Sequence, residues 1–409
     1  MGSSTAPFIE PSALAANLSN FLSWTRAALV DDLPSPTSTP AVEAQKEVIT
    51  RFELPESLEK SLIAARDDPL EDPMTQEFAR KLLAAYAGRF TSTADDKELT
   101  HAWKHLAGVH ANLAFSIDPE NCFQPSESTT RSPVDSLMIL AVRMLSTMQI
   151  LAPIRYQQEV EMAMAKTYYS PPPFTISESF TCGGQANYRV STEDETEIAQ
   201  FAYSHDVTKE VSTEVGSDIC YFLLAMFAIE YNNDSIAAFR HLLVDFAVIL
   251  RHRQLLGFSF DYLLGMTGYH YTGFNSFRLN FFLGALDGEK GRVKSWDVGE
   301  LDIMRPEELL QAYVWISNGI SQFVAFANDW HFDPSAPRDL EKLAWRADGC
   351  EKGSRGKHRY YLSEVDAVEE WEEDRFGRNM DVIVEPDGTL YKGSHGDFVD
   401  GRLDADAAN

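Results

Sequence analysis

Glu230, Asn232, Asn233 and Asp234 follow directly on an apolar run in SDICYFLLAMFAIEYNNDSIAAFRHLL. Read as one helix, the run is apolar on every side and predicts burial. At helical spacing its polar end puts Glu230 and Asp234 on one face with Asn233 beside them, and Arg240 and His241 further along. Carboxylates at the end of a buried helix are costly without a partner. Oxygen ligands of this kind suit Mg2+, which takes one or two carboxylates and fills its shell with water and substrate phosphates. The same residues also suit a helix that emerges into solvent with the Asn-Asn-Asp triplet as a polar turn.

A second place where an apolar run meets acids is HANLAFSIDPEN, with Asp118 and Glu120 on either side of Pro119. That composition equally makes a helix-ending turn. Arg189, in GGQANYRVST, lies between these two clusters, after a segment irregular in its prolines and its Gly183-Gly184 pair. A further Asn-Asp pair, Asn328-Asp329 in FVAFANDWHFD, offers a competing register for the second cluster. An apolar wall is available from Phe115, Phe227, Leu283, Trp315, Phe323 and Trp330, and any one of these aromatics is as well explained by core packing.

The elements that would hold these groups read as helices. Apolar residues recur at three- and four-residue spacing over roughly 41–66, 73–88, 97–115, 133–167, 194–204, 215–255, 258–286 and 305–331. Residues 31–40, DDLPSPTSTP, read as a linker after a short leading helix, and VIVEPDGTLYKG as a β-hairpin. The expected organisation is therefore all-α. An N-terminal helix and linker (1–40) precede a single large helical bundle over 41–365, and an acidic tail with a small hairpin follows at 366–409.

Composition narrows the classes. With 44% hydrophobic residues and 25 Phe, 15 Tyr and 7 Trp, the chain has material for a substantial core. A formal charge of −27 disfavours nucleic acid and anionic membrane as partners. The four cysteines are widely spaced and form no CxxC pair, which fits a reducing compartment. No apolar run is long enough to predict a membrane span, and the N-terminus lacks a secretory pattern. A cytoplasmic protein, monomeric or homodimeric, is expected.

In order and spacing, Asp118/Glu120, Arg189, Asn232-Asn233-Asp234 and the late pair Arg359-Tyr360 resemble the functional motifs of class I terpene synthases, nearest to divergent fungal sesquiterpene cyclases of the humulene type. The aspartate-rich motif is reduced here to DPEN, and the Ser/Thr and Glu that should follow the Asn are Ile236 and Arg240, or Ala237 and His241. The resemblance implies a helical bundle in which Mg2+, held by Asp118, Glu120, Glu230, Asn232, Asn233 and Asp234, ionises farnesyl diphosphate. Arg189, Arg359 and Tyr360 would grip the diphosphate. The apolar wall, with Arg240 and Asn328, would line the pocket in which the cation cyclises. The alternatives are a haem enzyme resembling the indoleamine and tryptophan dioxygenases, with His252 as axial ligand, and a non-catalytic helical interaction protein.

Overall fold

The computed structural model describes residues 8–9, 11–91, 97–117, 127–146, 154–162, 175–176, 179–189, 209–214, 217–232, 234–258, 260–270, 276–287, 291–330, 381–384 and 390–393. In chain order they form β1 (Phe8–Ile9), α1 (Pro11–Ala16), α2 (Leu18–Ala28), α3 (Pro40–Thr50), β2 (Leu54–Pro55), α4 (Glu56–Asp67), α5 (Pro73–Ala85), β3 (Phe90–Thr91), α6 (Lys97–Ile117) and α7 (Glu127–Ser146). There follow β4 (Ile154–Met162), β5 (Thr175–Ile176), β6 (Ser179–Arg189), β7 (Lys209–Glu214), β8 (Ser217–Ala225) and β9 (Phe227–Tyr231). The series closes with α8 (Ser235–Leu256), β10 (Tyr262–His270), β11 (Phe277–Asp287), β12 (Arg292–Asp302), α9 (Pro306–Asp329), β13 (Asp381–Val384) and β14 (Leu390–Gly393).

The all-α expectation is overturned. Helices and sheet are combined, and the strands β12-β11-β10-β9-β6-β8-β7 run side by side, with β4 paired to β6. Two stretches read wholly as helix contain strands. The stretch 215–255 divides into β8, β9 and α8, and 258–286 is β10 and β11. The reason is burial on both faces. Strands covered on each side are continuously apolar and lose the period-two alternation that marks a half-buried strand. In β10 the seven residues from Leu263 to Tyr269 are all buried. The stretch 133–167 likewise divides into the end of α7 and β4, and 41–66 into α3 and α4 around β2. The hairpin predicted near the C-terminus is present as antiparallel β13 and β14.

The four strands β12-β11-β10-β9 make a mixed sheet. β9 and β10 are parallel, joined through α8, while β10–β11 and β11–β12 are antiparallel. Helices cover both faces. On one face Gly265 and Gly284 lie beneath Phe246 of α8, and Phe239 of α8 packs at a tilt against Phe282 with ring centroids 4.7 Å apart. On the other, Phe281 meets Trp315 of α9 at 5.1 Å, and Tyr231 donates to Asp135 of α7 over 3.4 Å. α9 also packs on α3, α5 and α6. Its start carries local helix-starting chemistry, with Pro306 in the first turn and Glu307 and Glu308 near the helix N-terminus.

Residues after α2 lie along the outer edge of β12. Asp31 N–H donates to Val293 O over 2.9 Å, Val293 N–H donates to Leu29 O over 2.8 Å, Ser35 N–H donates to Ser295 O over 2.7 Å, and the Trp296 indole donates to Thr37 O over 2.9 Å. The segment read as a linker thus covers a sheet edge that would otherwise expose unpaired backbone groups. Among the described residues no helix is long and apolar enough to cross a membrane.

Candidate metal centre

The chain ends β9, turns through Asn232 and Asp234, and enters α8. Asn232 Oδ1 accepts the Asp234 N–H over 2.9 Å, and Asp234 is the helix N-cap. Its Oδ1 accepts from the backbone of Ile236 (2.9 Å) and Ala237 (3.4 Å). This is how a helix start satisfies its otherwise free amides. Asn232 and Asp234 are exposed at this turn.

Glu230 is different. It sits near the carboxyl end of β9, buried, and its side chain points to the α8 face. The side follows from register. Glu230 lies opposite Thr267 and Ala228 opposite Gly265, whose missing Cβ would strike Phe246 of α8. Residues two apart on a strand share a face. From α8, His241 and Asp245 come down one turn apart, and His241 Nδ1 lies 3.0 Å from Glu230 Oε2. One ligand atom from each of Glu230, His241 and Asp245 can be chosen so that all three lie within 4.8 Å of one another. Asp245 is buried and His241 half-buried. His241 Nε2 has no hydrogen-bond partner among the described residues.

Such a group can hold a divalent ion. At metal–oxygen and metal–nitrogen distances of about 2.1 Å, adjacent octahedral ligands stand about 3 Å apart. The Glu230–His241 separation of 3.0 Å therefore matches both a hydrogen bond and one edge of a coordination shell. Two carboxylates with one imidazole suit Mn2+, Zn2+ and, with added water, Mg2+. The place also fits. In sheets with parallel strands joined through helices, ligands gather outside the carboxyl ends of the strands.

A polar row leads from Glu230 across the sheet in register: Glu230 on β9, Thr267 on β10, Asn280 on β11 and Glu300 on β12. Exposure rises along it, from buried Glu230 and Thr267 through half-buried Asn280 to exposed Glu300. At its outer end Tyr269 donates to Glu300 Oε2 over 2.8 Å, and the Arg278 guanidinium pairs with the same carboxylate. Arg278 Nε also donates to Ser276 Oγ over 3.1 Å.

Among the described residues expected from the sequence, only Glu230 belongs to this group. Arg240 reaches the opposite way, donating to Ala15 O over 3.1 Å and lying over the Phe21 ring. Phe227 and Leu283 are core residues of the sheet, and Trp315, Phe323 and Trp330 are core residues of or beside α9. Phe115 is on α6 and exposed. Asn328 lies in the last turn of α9. Arg189 ends β6, opposite Tyr221 on β8. Asp118, Glu120, Asn233, Arg359 and Tyr360 lie outside the described residues. His252 is wholly buried in α8, and desolvation lowers its pKa to about 3. His241 stood in the sequence beside the acidic cluster, but Asp245 was missed. The signal available was a His and an Asp four residues apart in an otherwise apolar helix, AAFRHLLVDFAVIL.

Against known protein families and curated proteins, no family model and no protein sequence matches this chain.

Proposed function

We propose that this protein is a divalent-metal-dependent enzyme that breaks a phosphate-linked bond, with the ion held by Glu230, His241 and Asp245. The observation that carries the reading is the buried convergence of those three side chains from a strand end and the helix that follows it. An ion there would polarise a phosphoryl oxygen or lower the pKa of a bound water. It would also supply the positive charge that an anionic substrate needs against a protein of formal charge −27. Glu230, His241 and Asp245 would fix the position of that ion. The polar row through Asn280 gives substrate and solvent a way in from the exposed side.

Two reactions share this chemistry. One is hydrolysis of a phosphate ester. The other is ionisation of a prenyl diphosphate, the reaction that the terpene-synthase resemblance implies. Hydrolysis is favoured because the group sits against a sheet, open along a polar row, whereas a carbocation needs an apolar enclosure that excludes water. The test is incubation of purified protein and Glu230→Gln with Mn2+ or Mg2+ and three substrates: farnesyl diphosphate, a nucleoside triphosphate and an oligonucleotide. The expected result is a metal-dependent hydrolytic product that the variant does not form. A terpene hydrocarbon with released diphosphate would replace hydrolysis by cyclisation. Turnover unaffected by Glu230→Gln would remove the site.

A further inference from the structure

Thr267 lies directly beside Glu230 on the neighbouring parallel strand, on the face that α8 covers. It is fully buried, yet its hydroxyl has no hydrogen-bond partner among the described residues. A buried hydroxyl without a partner is destabilising relative to a satisfied one, and threonine is not needed here for shape, because valine fills the same space. Adjacent strands stand about 4.8 Å apart, so the Thr267 side chain stands beside that of Glu230, on the face from which His241 and Asp245 approach. Its neighbours on that face of β10 are Gly265, on which Phe246 rests, and Tyr269, engaged with Glu300. Neither supplies it with a partner.

We infer that Thr267 is the fourth group of the metal site, a positioning residue whose hydroxyl accepts a hydrogen bond from a water on the ion held by Glu230, His241 and Asp245. The inference rests on the metal reading above. It explains why a polar side chain is kept at the centre of a sheet whose other inner positions on β10 are Gly, Leu, Met and Tyr. It also fixes where the bound water stands: on the β10 side of the ion, toward Asn280 and the open end of the row. An attacking water held there meets a substrate that enters along the row.

The experiment is a Mn2+ titration, read by calorimetry and by electron paramagnetic resonance, on wild type, Thr267→Val and Thr267→Ser, with the unfolding midpoint of each metal-free protein measured alongside. Loss of an outer-shell partner weakens metal binding about 10–100-fold, so Thr267→Val should raise the Kd by that factor while Thr267→Ser stays near wild type. The metal-free Thr267→Val protein should be as stable as wild type or more so, whereas a hydroxyl with a purely structural hydrogen bond would lose stability on removal. Thr267→Ala removes the same hydroxyl should valine disturb the sheet. Equal affinity in wild type and the hydroxyl-free variants overturns the role of Thr267 and leaves the metal site standing. Absence of Mn2+ binding in wild type overturns the metal site itself, and the inference with it.

Discussion

Gly265→Ala is the substitution whose outcome depends most directly on how α8 rests on the sheet. An added Cβ would stand 2.3 Å from Cζ and 2.4 Å from Cε1 of Phe246, and 3.0 Å from Cδ1 of Leu242. Carbon atoms make good contact at about 3.5–4.0 Å, so the ring must withdraw by more than about 1 Å. It has nowhere to swing, because its opposite edge rests on Gly284, where a Cβ would be only 2.7 Å from Cδ2. The remaining relief is to lift α8 from β10 and β11. Overpacking of this kind costs about 1–3 kcal/mol. Urea unfolding should show the loss as a lower midpoint at unchanged slope. Phe246→Leu removes the clashing ring atoms, so the double variant should recover part of the loss, with a coupling energy of about 1 kcal/mol or more. Lifting α8 also draws His241 and Asp245 away from Glu230, so Mn2+ affinity should fall with stability. A Gly265→Ala protein that unfolds at the wild-type urea concentration, or a strictly additive cycle, would refute this packing.

Asp234→Ala removes an N-cap and should cost about 1 kcal/mol while leaving Mn2+ affinity within a few-fold of wild type; loss of binding on calorimetric titration would make Asp234 a ligand. Burial lowers the pKa of His252 to about 3 and pushes those of His110 and His270 below the ordinary value. Below about pH 6.5 the unfolded chain therefore takes up protons that the folded protein refuses, and stability should fall with acidification by up to about 1.4 kcal/mol per pH unit for each such histidine. Each contribution is fully present above that pH and is lost as the pH falls through the folded pKa, which for His252 is about 3. Denaturant titrations at pH 7, 6 and 5 measure the trend, and a flat profile would contradict the burial of these rings. Arg253 spans the carbonyls of Ala225 (3.1 Å), Met226 (3.1 Å) and Tyr262 (2.7 Å) from inside the core. Arg253→Leu should cost at least about 3 kcal/mol, since it leaves buried acceptors unmatched; a thermal midpoint near wild type would show that those carbonyls find other partners.

The sequence was legible where local chemistry is decisive. Pro306 with its two following acids starts α9, and Asp72 with Pro73 starts α5. The hairpin between β13 and β14 follows from its turn residues. It was not legible at 227–231, 262–270 and 277–287, where two-sided burial makes strands as apolar as a core helix. That one ambiguity propagated into the site. With Glu230 placed on a helix, Asp234 shares its face; on a strand followed by a capped turn, Asp234 becomes the cap, and the partners of Glu230 come from further along α8. Thr267 and Asn280 join Glu230 only through strand register, which no local pattern in this single sequence specifies.

The most direct test of the central claim is calorimetric titration of the metal-free protein with Mn2+, beside Glu230→Gln. Glu230, His241 and Asp245 acting together predict one ion bound per chain, and loss of that binding in the variant with its circular dichroism spectrum unchanged. No bound ion in wild type, or equal binding in Glu230→Gln, would contradict the account and leave Glu230 and His241 as a hydrogen-bonded pair.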